Sequence, residues 1–159
     1  MDYQWLTRTF AELSQAQLYA LLRLRQEVFV VEQHCIYLDL DGLDQDARHM
    51  LCMLDDRLLA YQRCLAPGLS YPESSLGRIV VSPGARGRQL GRALVQRGVD
   101  FNIRHWPRAD IRINAQAYLR GFYTDLGFVA AGEEYVEDGI PHVQMLYRVQ
   151  QPPRSPTGR

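Results

Sequence analysis

The apolar residues change period several times along the chain, and each change marks an element. Tyr3 to Thr9 reads as a short strand. Ser14 followed by Gln17 is a capping-box signal, and the helix it starts is expected to run to about Glu32. Within it Leu18, Leu21, Leu22, Arg25, Val28 and Phe29 recur at helical spacing and mark the face turned to a core. HMLCML and RLLAYQRCL, separated by Asp55-Asp56, predict a hairpin, and the unbroken apolar run in LGRIVVS predicts an interior strand covered on both faces. From Gln89 onward, Leu90, Ala93, Leu94 and Phe101 predict a second helix, ending near Trp106-Pro107 because proline disfavours helical geometry in the residue before it. IRINA is a further strand. LRGFYTDLGF is a short helix in which Gly127 takes the left-handed position after the last turn and Phe128 packs back on it. VAAGEEYV and HVQMLYRV close the series as an antiparallel pair around Glu137-Asp138-Gly139.

This order predicts an α/β fold with a mixed sheet and helices on its faces. Residues 1–149 are expected to form a single domain, and the Pro-rich segment 150–159 a disordered tail. The segment HCIYLDLDGLDQDAR carries Asp39, Asp41, Asp44 and Asp46 around Gly42. Its acidic residues miss the spacing of a calcium loop and no Glu closes it, so it is expected to be a solvated loop and no metal site is expected.

Composition then removes classes of function. The 159 residues, 47% hydrophobic and 23% charged, suit one globular domain. All eighteen basic residues are Arg, which excludes a Walker lysine and a pyridoxal Schiff base. They balance eighteen acidic residues, so a nucleic-acid partner would need a concentrated patch, and none is expected. Cys35, Cys52 and Cys64 are an odd number without CxxC spacing, which points away from a disulfide framework or zinc site and towards a reducing compartment. No secretory or membrane-spanning run is visible, so the expected location is the cytoplasm.

The stretch VVSPGARGRQLGRAL carries the most chemistry. An apolar strand enters a turn bearing Gly84, Gly87 and Gly91, and a helix follows immediately. A helix start presents unpaired N–H groups and partial positive charge, so this turn is an anion cradle. Arg86, Arg88 and Arg92 add guanidinium forks suited to phosphate oxygens. The helix dipole contributes ~0.3–1 kcal/mol per charge and charge-assisted hydrogen bonds ~1.5–3 kcal/mol each, so hydrogen bonds would dominate the hold on a diphosphate.

Val81-Ser82-Pro83 followed by Arg86-Gly87-Arg88-Gln89-Leu90-Gly91 resembles the acyl-CoA-binding motif of the GNAT N-acyltransferase superfamily. Asn114-Ala115-Gln116 and Gly121-Phe122-Tyr123 with Leu126-Gly127-Phe128 resemble its second motif. RLRQEVFVVEQ together with EEYVEDGIPHVQM is similar to the ElaA-like branch. The resemblance implies the GNAT fold: a mixed, mostly antiparallel central sheet with helices on both faces. It also implies transfer of an acyl group, acetyl by default, from acetyl-CoA to a primary amine by direct attack.

By that resemblance Ile79, Val80 and Val81 would line the pantetheine arm, with the Val81 N–H as oxyanion donor. Arg86, Gly87, Arg88, Gln89, Leu90, Gly91 and Arg92 would hold the pyrophosphate, Asn114 would contact the cofactor from the neighbouring strand, and Tyr123 would protonate the departing thiolate. Gln89 stands where the superfamily has its first glycine. Deprotonating an alkylamine of pKa ~10.4 at neutral pH costs about 4.6 kcal/mol, so a positioned base is useful. Glu32 is the first choice, with Glu73, Glu137 and His142 as alternatives. His34-Cys35 lacks an orienting third group, and adjacent side chains on an extended chain point apart, so it is not a nucleophile pair.

The expected partners are acyl-CoA and an amine acceptor, small molecule or protein, with no membrane and a possible homodimer. Three other readings remain: an acyl-CoA-binding module without turnover, a nucleic-acid-binding domain using the arginine turn, and a relative of acyl-homoserine-lactone synthases.

Overall fold

The computed structural model describes residues 2–149, so the expected tail at 150–159 lies outside the described residues. One sheet carries eight strands: β1 (Gln4–Thr9), β2 (Arg48–Leu54), β3 (Arg57–Leu65), β4 (Ser74–Val81), β5 (Ile111–Gln116), β6 (Val129–Ala130), β7 (Tyr135–Glu137) and β8 (Ile140–Tyr147). Their order is β1-β2-β3-β4-β5-β8-β6, with β7 also on β8. Every pairing is antiparallel except β4 with β5. The β2–β3 hairpin turns through Asp55 and Asp56, both at positive φ (49° and 61°), and β7–β8 through Asp138 and Gly139 (51° and 76°). Two left-handed residues match the twist of paired strands, which is why Asp and Gly sit there.

Helices cover both faces. α2 (Leu90–His105) and α3 (Arg120–Asp125) lie on one, where Leu90, Leu94, Val95, Val99 and Tyr123 join Leu76, Ile111, Ile113, Ala115, Val143 and Met145 in the larger core. On the other, α1 (Gln15–Arg25) packs Leu21 and Leu24, with Val28, against Leu51, Tyr61 and Val80. Ser14 forms the expected capping box with Gln17. The helix does continue to Glu32, but Gln26–Glu32 widens into π-helical turns, a geometry frequent at functional sites. Phe128 N–H bonds the Tyr123 carbonyl and Gly127 N–H that of Thr124, both at 3.0 Å, with Gly127 at φ 103°. This is the Schellman pattern that ends α3 and fixes Tyr123.

The feature that makes a site is in β4. Tyr61 pairs with Val80 but Arg63 with Gly77, so Arg78 and Ile79 oppose Gln62 alone, and Arg78 is left-handed at φ 51°. This β-bulge bends the strand. Pairing of β4 with β5 is confined to Ser74↔Ile111 and Ser75↔Arg112. Beyond the bulge the two central strands part and leave a seam through the sheet.

Candidate active site

The seam opens into a cleft of about 760 Å³ whose walls include Gly77 to Val81 of β4 and Ile113 to Gln116 of β5. Backbone N–H groups alternate along a strand. Ser82 N–H bonds Leu59 O of β3 at 2.8 Å, so that of Val81 is turned the other way, into the seam.

The expected anion cradle adjoins this cleft as a recess of about 340 Å³ lined by Arg86, Gly87, Gln89, Leu90, Gly91 and Arg92. Among the described residues the Leu90, Gly91 and Arg92 amides have no backbone acceptor and no side chain caps α2, which leaves the helix start open to an anion. Gln89 is left-handed, at φ 60° and ψ 24°, and its side chain makes no capping bond. The backbone therefore adopts the conformation that glycine takes without steric cost. Arg88 is exposed and outside the recess. Arg92 is exposed at its rim, and neither has an acidic partner among the described residues.

Arg86 and Glu32 face each other across the cleft and hold an ion pair at 2.6 Å, each side chain more than two-fifths exposed. The Arg86 guanidinium keeps the Glu32 carboxyl below its ordinary range. An exposed pair of this kind is worth ~0–1 kcal/mol, so an incoming phosphate can take Arg86 from it.

Side chains on the two faces differ in kind. Ile111, Ile113 and Ala115 point to the α2 core, so Arg112, Asn114 and Gln116 point to the face of α1. The same alternation on β8 sends Val143 and Met145 to the α2 core and His142 and Gln144 to the α1 face. Tyr123 enters the cleft from the α2 side, nearly buried, between Phe122 and Phe128. Burial raises its phenol pKa, so it remains a proton donor at neutral pH. Asn114 donates to Glu137 Oε2 at 2.8 Å and accepts from the Tyr135 hydroxyl. Glu73 is held by Arg112 through two bonds of 3.0 Å, which lowers its pKa. Cys35 is buried with its thiol donating to Asp138 O, while Cys52 and Cys64 are core.

The acidic segment differs from expectation. Asp39 and Asp44 are buried and, with Asp41, neutralise Arg25, Arg63 and Arg78. Arg25 is fully buried, 2.7 Å from Asp39 and 2.8 Å from Asp44. Arg78 carries the bulge to the same cluster. His49 lies beneath it. Its Nε2 is 2.8 Å from Asp44 O, a carbonyl that can only accept, so Nε2 holds the proton and Nδ1 accepts from Tyr61 at 2.6 Å. Burial lowers the His49 pKa and favours this neutral form. The cluster fixes the loop whose Tyr37, Leu38 and Asp41 wall the cleft. Sequence spacing does not announce it, because its pairings join residues 14 to 39 apart in the chain.

The cluster sets an acid limit. Burial opposes ionisation of Asp41, but Arg63 hydrogen bonding and charge, with Arg78, outweigh it and bring its carboxyl to about 2. Asp44 is likewise lowered against burial, by Arg25 and Arg63. A depressed carboxylate stabilises the fold above its unfolded value near pH 4, and loses that contribution as pH falls through its folded value. Urea unfolding should give a gentle loss of stability below about pH 6.5, where His49 takes a proton more readily in the unfolded chain, and a steeper fall between about pH 4 and 2 as the carboxylates protonate; unchanged stability at the acid end would contradict the pairing.

Among the described residues no helix is long and apolar enough to cross a membrane, and no group of three His, Cys, Asp or Glu could hold a metal ion. The family model described as acetyltransferase (GNAT) domain matches residues 12–149. Protein ElaA of Escherichia coli is 43% identical over 148 residues, 92% of this chain and 97% of that one. Its crystal structure matches with a TM-score of 0.87 at 41% identity, covering 92% of this chain and 100% of that chain. The crystal structure of an acyl-CoA N-acyltransferase from Pseudomonas aeruginosa gives a TM-score of 0.88 at 42% identity, with the same coverage. A UPF0039 protein of Synechocystis is 42% identical over 150 residues, 94% of this chain and 97% of that protein. With the seam, the open helix start and these likenesses together, the chain belongs to the GNAT acetyltransferase family, in its ElaA-like branch.

Proposed function

We propose that the protein transfers an acetyl group from acetyl-CoA to a primary amine by direct attack. The observation that carries this reading is the seam between β4 and β5, which has at one side a helix start that no side chain caps among the described residues and the Val81 N–H turned into it. The diphosphate of coenzyme A would lie on the amides of Leu90 to Arg92, with Arg92 and the displaceable Arg86 on its oxygens. The pantetheine arm would follow Ile79 to Val81. The thioester carbonyl would receive the Val81 N–H, which stabilises the developing oxyanion, and Tyr123 would protonate the thiolate. Asn114 is engaged by Glu137 and Tyr135, so its contribution here is to brace the β5 wall.

Gln89 gives the test of the cradle. Its side chain lines the recess without a capping bond, and its backbone is already left-handed. Gln89→Gly should therefore tighten coenzyme A binding by a factor of a few, because the side chain's bulk leaves the recess while glycine keeps the left-handed backbone without strain. Isothermal titration measures this directly. Weaker binding would show the carboxamide to be a phosphate ligand instead. Acetyl-CoA itself should raise the melting temperature, since a ligand at 100 times Kd stabilises by about 2.7 kcal/mol; no shift would remove the cofactor assignment.

A further inference from the structure

We infer that His142 is the proton acceptor for the attacking amine, an assignment that rests on the acetyl-transfer reading of the cleft. The two faces of the seam have different occupants. The cradle and Tyr123 belong to the α2 and α3 side, so the cofactor fills that side and the amine must reach the thioester from the α1 face. His142 is on that face, at the end of β8 paired with Gln116, the last residue of β5, where the seam has opened. It lines the cleft and is 9% exposed, out of bulk water yet accessible.

Its tautomer is fixed by a neighbour. Nδ1 is 2.7 Å from the Ile140 carbonyl, which can only accept, so in the neutral ring Nδ1 carries the hydrogen and Nε2 the lone pair. No hydrogen bond occupies Nε2 among the described residues. The Tyr135 ring stacks on the imidazole at 6.2 Å and 28° and holds its plane.

The other bases are paired or placed elsewhere. Arg112 occupies Glu73, and Glu32, which the diphosphate would release from Arg86, faces the cradle with its side chain more than two-fifths exposed to water. Asp39, Asp41 and Asp44 neutralise the arginine cluster. The titratable and charged groups along this end of the cleft are Tyr71, Tyr135, Glu137, Asp138 and the Arg112–Glu73 pair. Of these, Glu137 is tied to Asn114, and Asp138 sits in the left-handed hairpin turn with its carbonyl on Cys35.

In the step, Nε2 takes one proton from the ammonium form of the acceptor, and the freed nitrogen lone pair bonds to the thioester carbon. Collapse breaks the C–S bond, Tyr123 gives its proton to sulfur, and the second amine proton restores Tyr123. The imidazolium releases its proton to solvent, so the sum is amide, free thiol and one proton.

His142→Asn is the discriminating variant, because its Nδ2 can donate to the Ile140 carbonyl while the Nε2 lone pair is gone. Its kcat/KM with an alkylamine should fall ~10²–10⁴-fold near neutrality and recover as pH rises towards the pKa of the amine. Acetyl-CoA affinity and melting temperature should stay near wild type. Nitrogen NMR of wild type should show the Nδ1–H tautomer. If the Asn variant does not fold, His142→Gln replaces it. A rate within about twofold of wild type, or a loss equal at every pH, overturns the assignment. So does the Nε2–H tautomer. Wild-type protein that binds acetyl-CoA but acetylates no amine overturns the transfer reading, and this proposal with it.

Discussion

Tyr123→Phe should lower kcat by ~10²–10⁴-fold and leave the Kd for acetyl-CoA within about a factor of two. The variant removes one oxygen and little else. The ring remains edge-on to Phe122 and Phe128, at centroid distances of 5.1 and 5.8 Å. The backbone of α3 remains closed by Gly127 and Phe128. The phenol is buried and held protonated, so it has a proton to give when the C–S bond breaks. If the thiolate took its proton from solvent instead, the rate would be unchanged. Stopped-flow turnover beside calorimetric binding separates these outcomes.

Arg25→Met should cost the fold about 3–5 kcal/mol, the largest effect of any single substitution outside the hydrophobic core. Arg25 is fully buried and bonds both Asp39 and Asp44, and its NH2 also donates to Asp39 O at 3.2 Å. Without it two buried carboxylates keep Arg78 and Arg63 but lose a shared counter-charge. The damage should be partly repaired by neutralising a carboxylate as well, so Arg25→Met with Asp44→Asn should be more stable than the sum of the single losses implies. Urea unfolding of the four proteins in this cycle gives the coupling. A single-variant loss below about 1 kcal/mol would contradict the buried network.

Local patterns carry some of this architecture and long-range chemistry carries the rest. Asp55-Asp56 and Asp138-Gly139 are visible as turns because their conformations are set by the residues themselves. The capping box at Ser14 and the stop at Gly127 are visible for the same reason. The strand, turn and helix from Val80 to Leu94 are equally plain, and the resemblance of that stretch led to the family that the fold and relatives show. The bulge at Arg78 is not visible: an arginine at positive φ is held there by Asp39 and Asp41, which lie 37 to 39 residues away. Without the bulge the seam cannot be foreseen. The acidic loop reads as solvated because sequence shows its charges and hides the three arginines that meet them. Glu32 shows the same limit, since its partner Arg86 is 54 residues distant. In IRINAQ, however, the alternation of Arg112, Asn114 and Gln116 with apolar neighbours already tells which side of β5 is polar.

The most direct measurement is to incubate the protein with acetyl-CoA and a library of primary amines, following thiol release and product mass together. Transfer predicts that thiol appears only with an accepted amine, in step with a product heavier by one acetyl group. Coenzyme A binding with neither thiol release nor acetylated product across the library would contradict it and leave a domain that binds acyl-CoA without turnover.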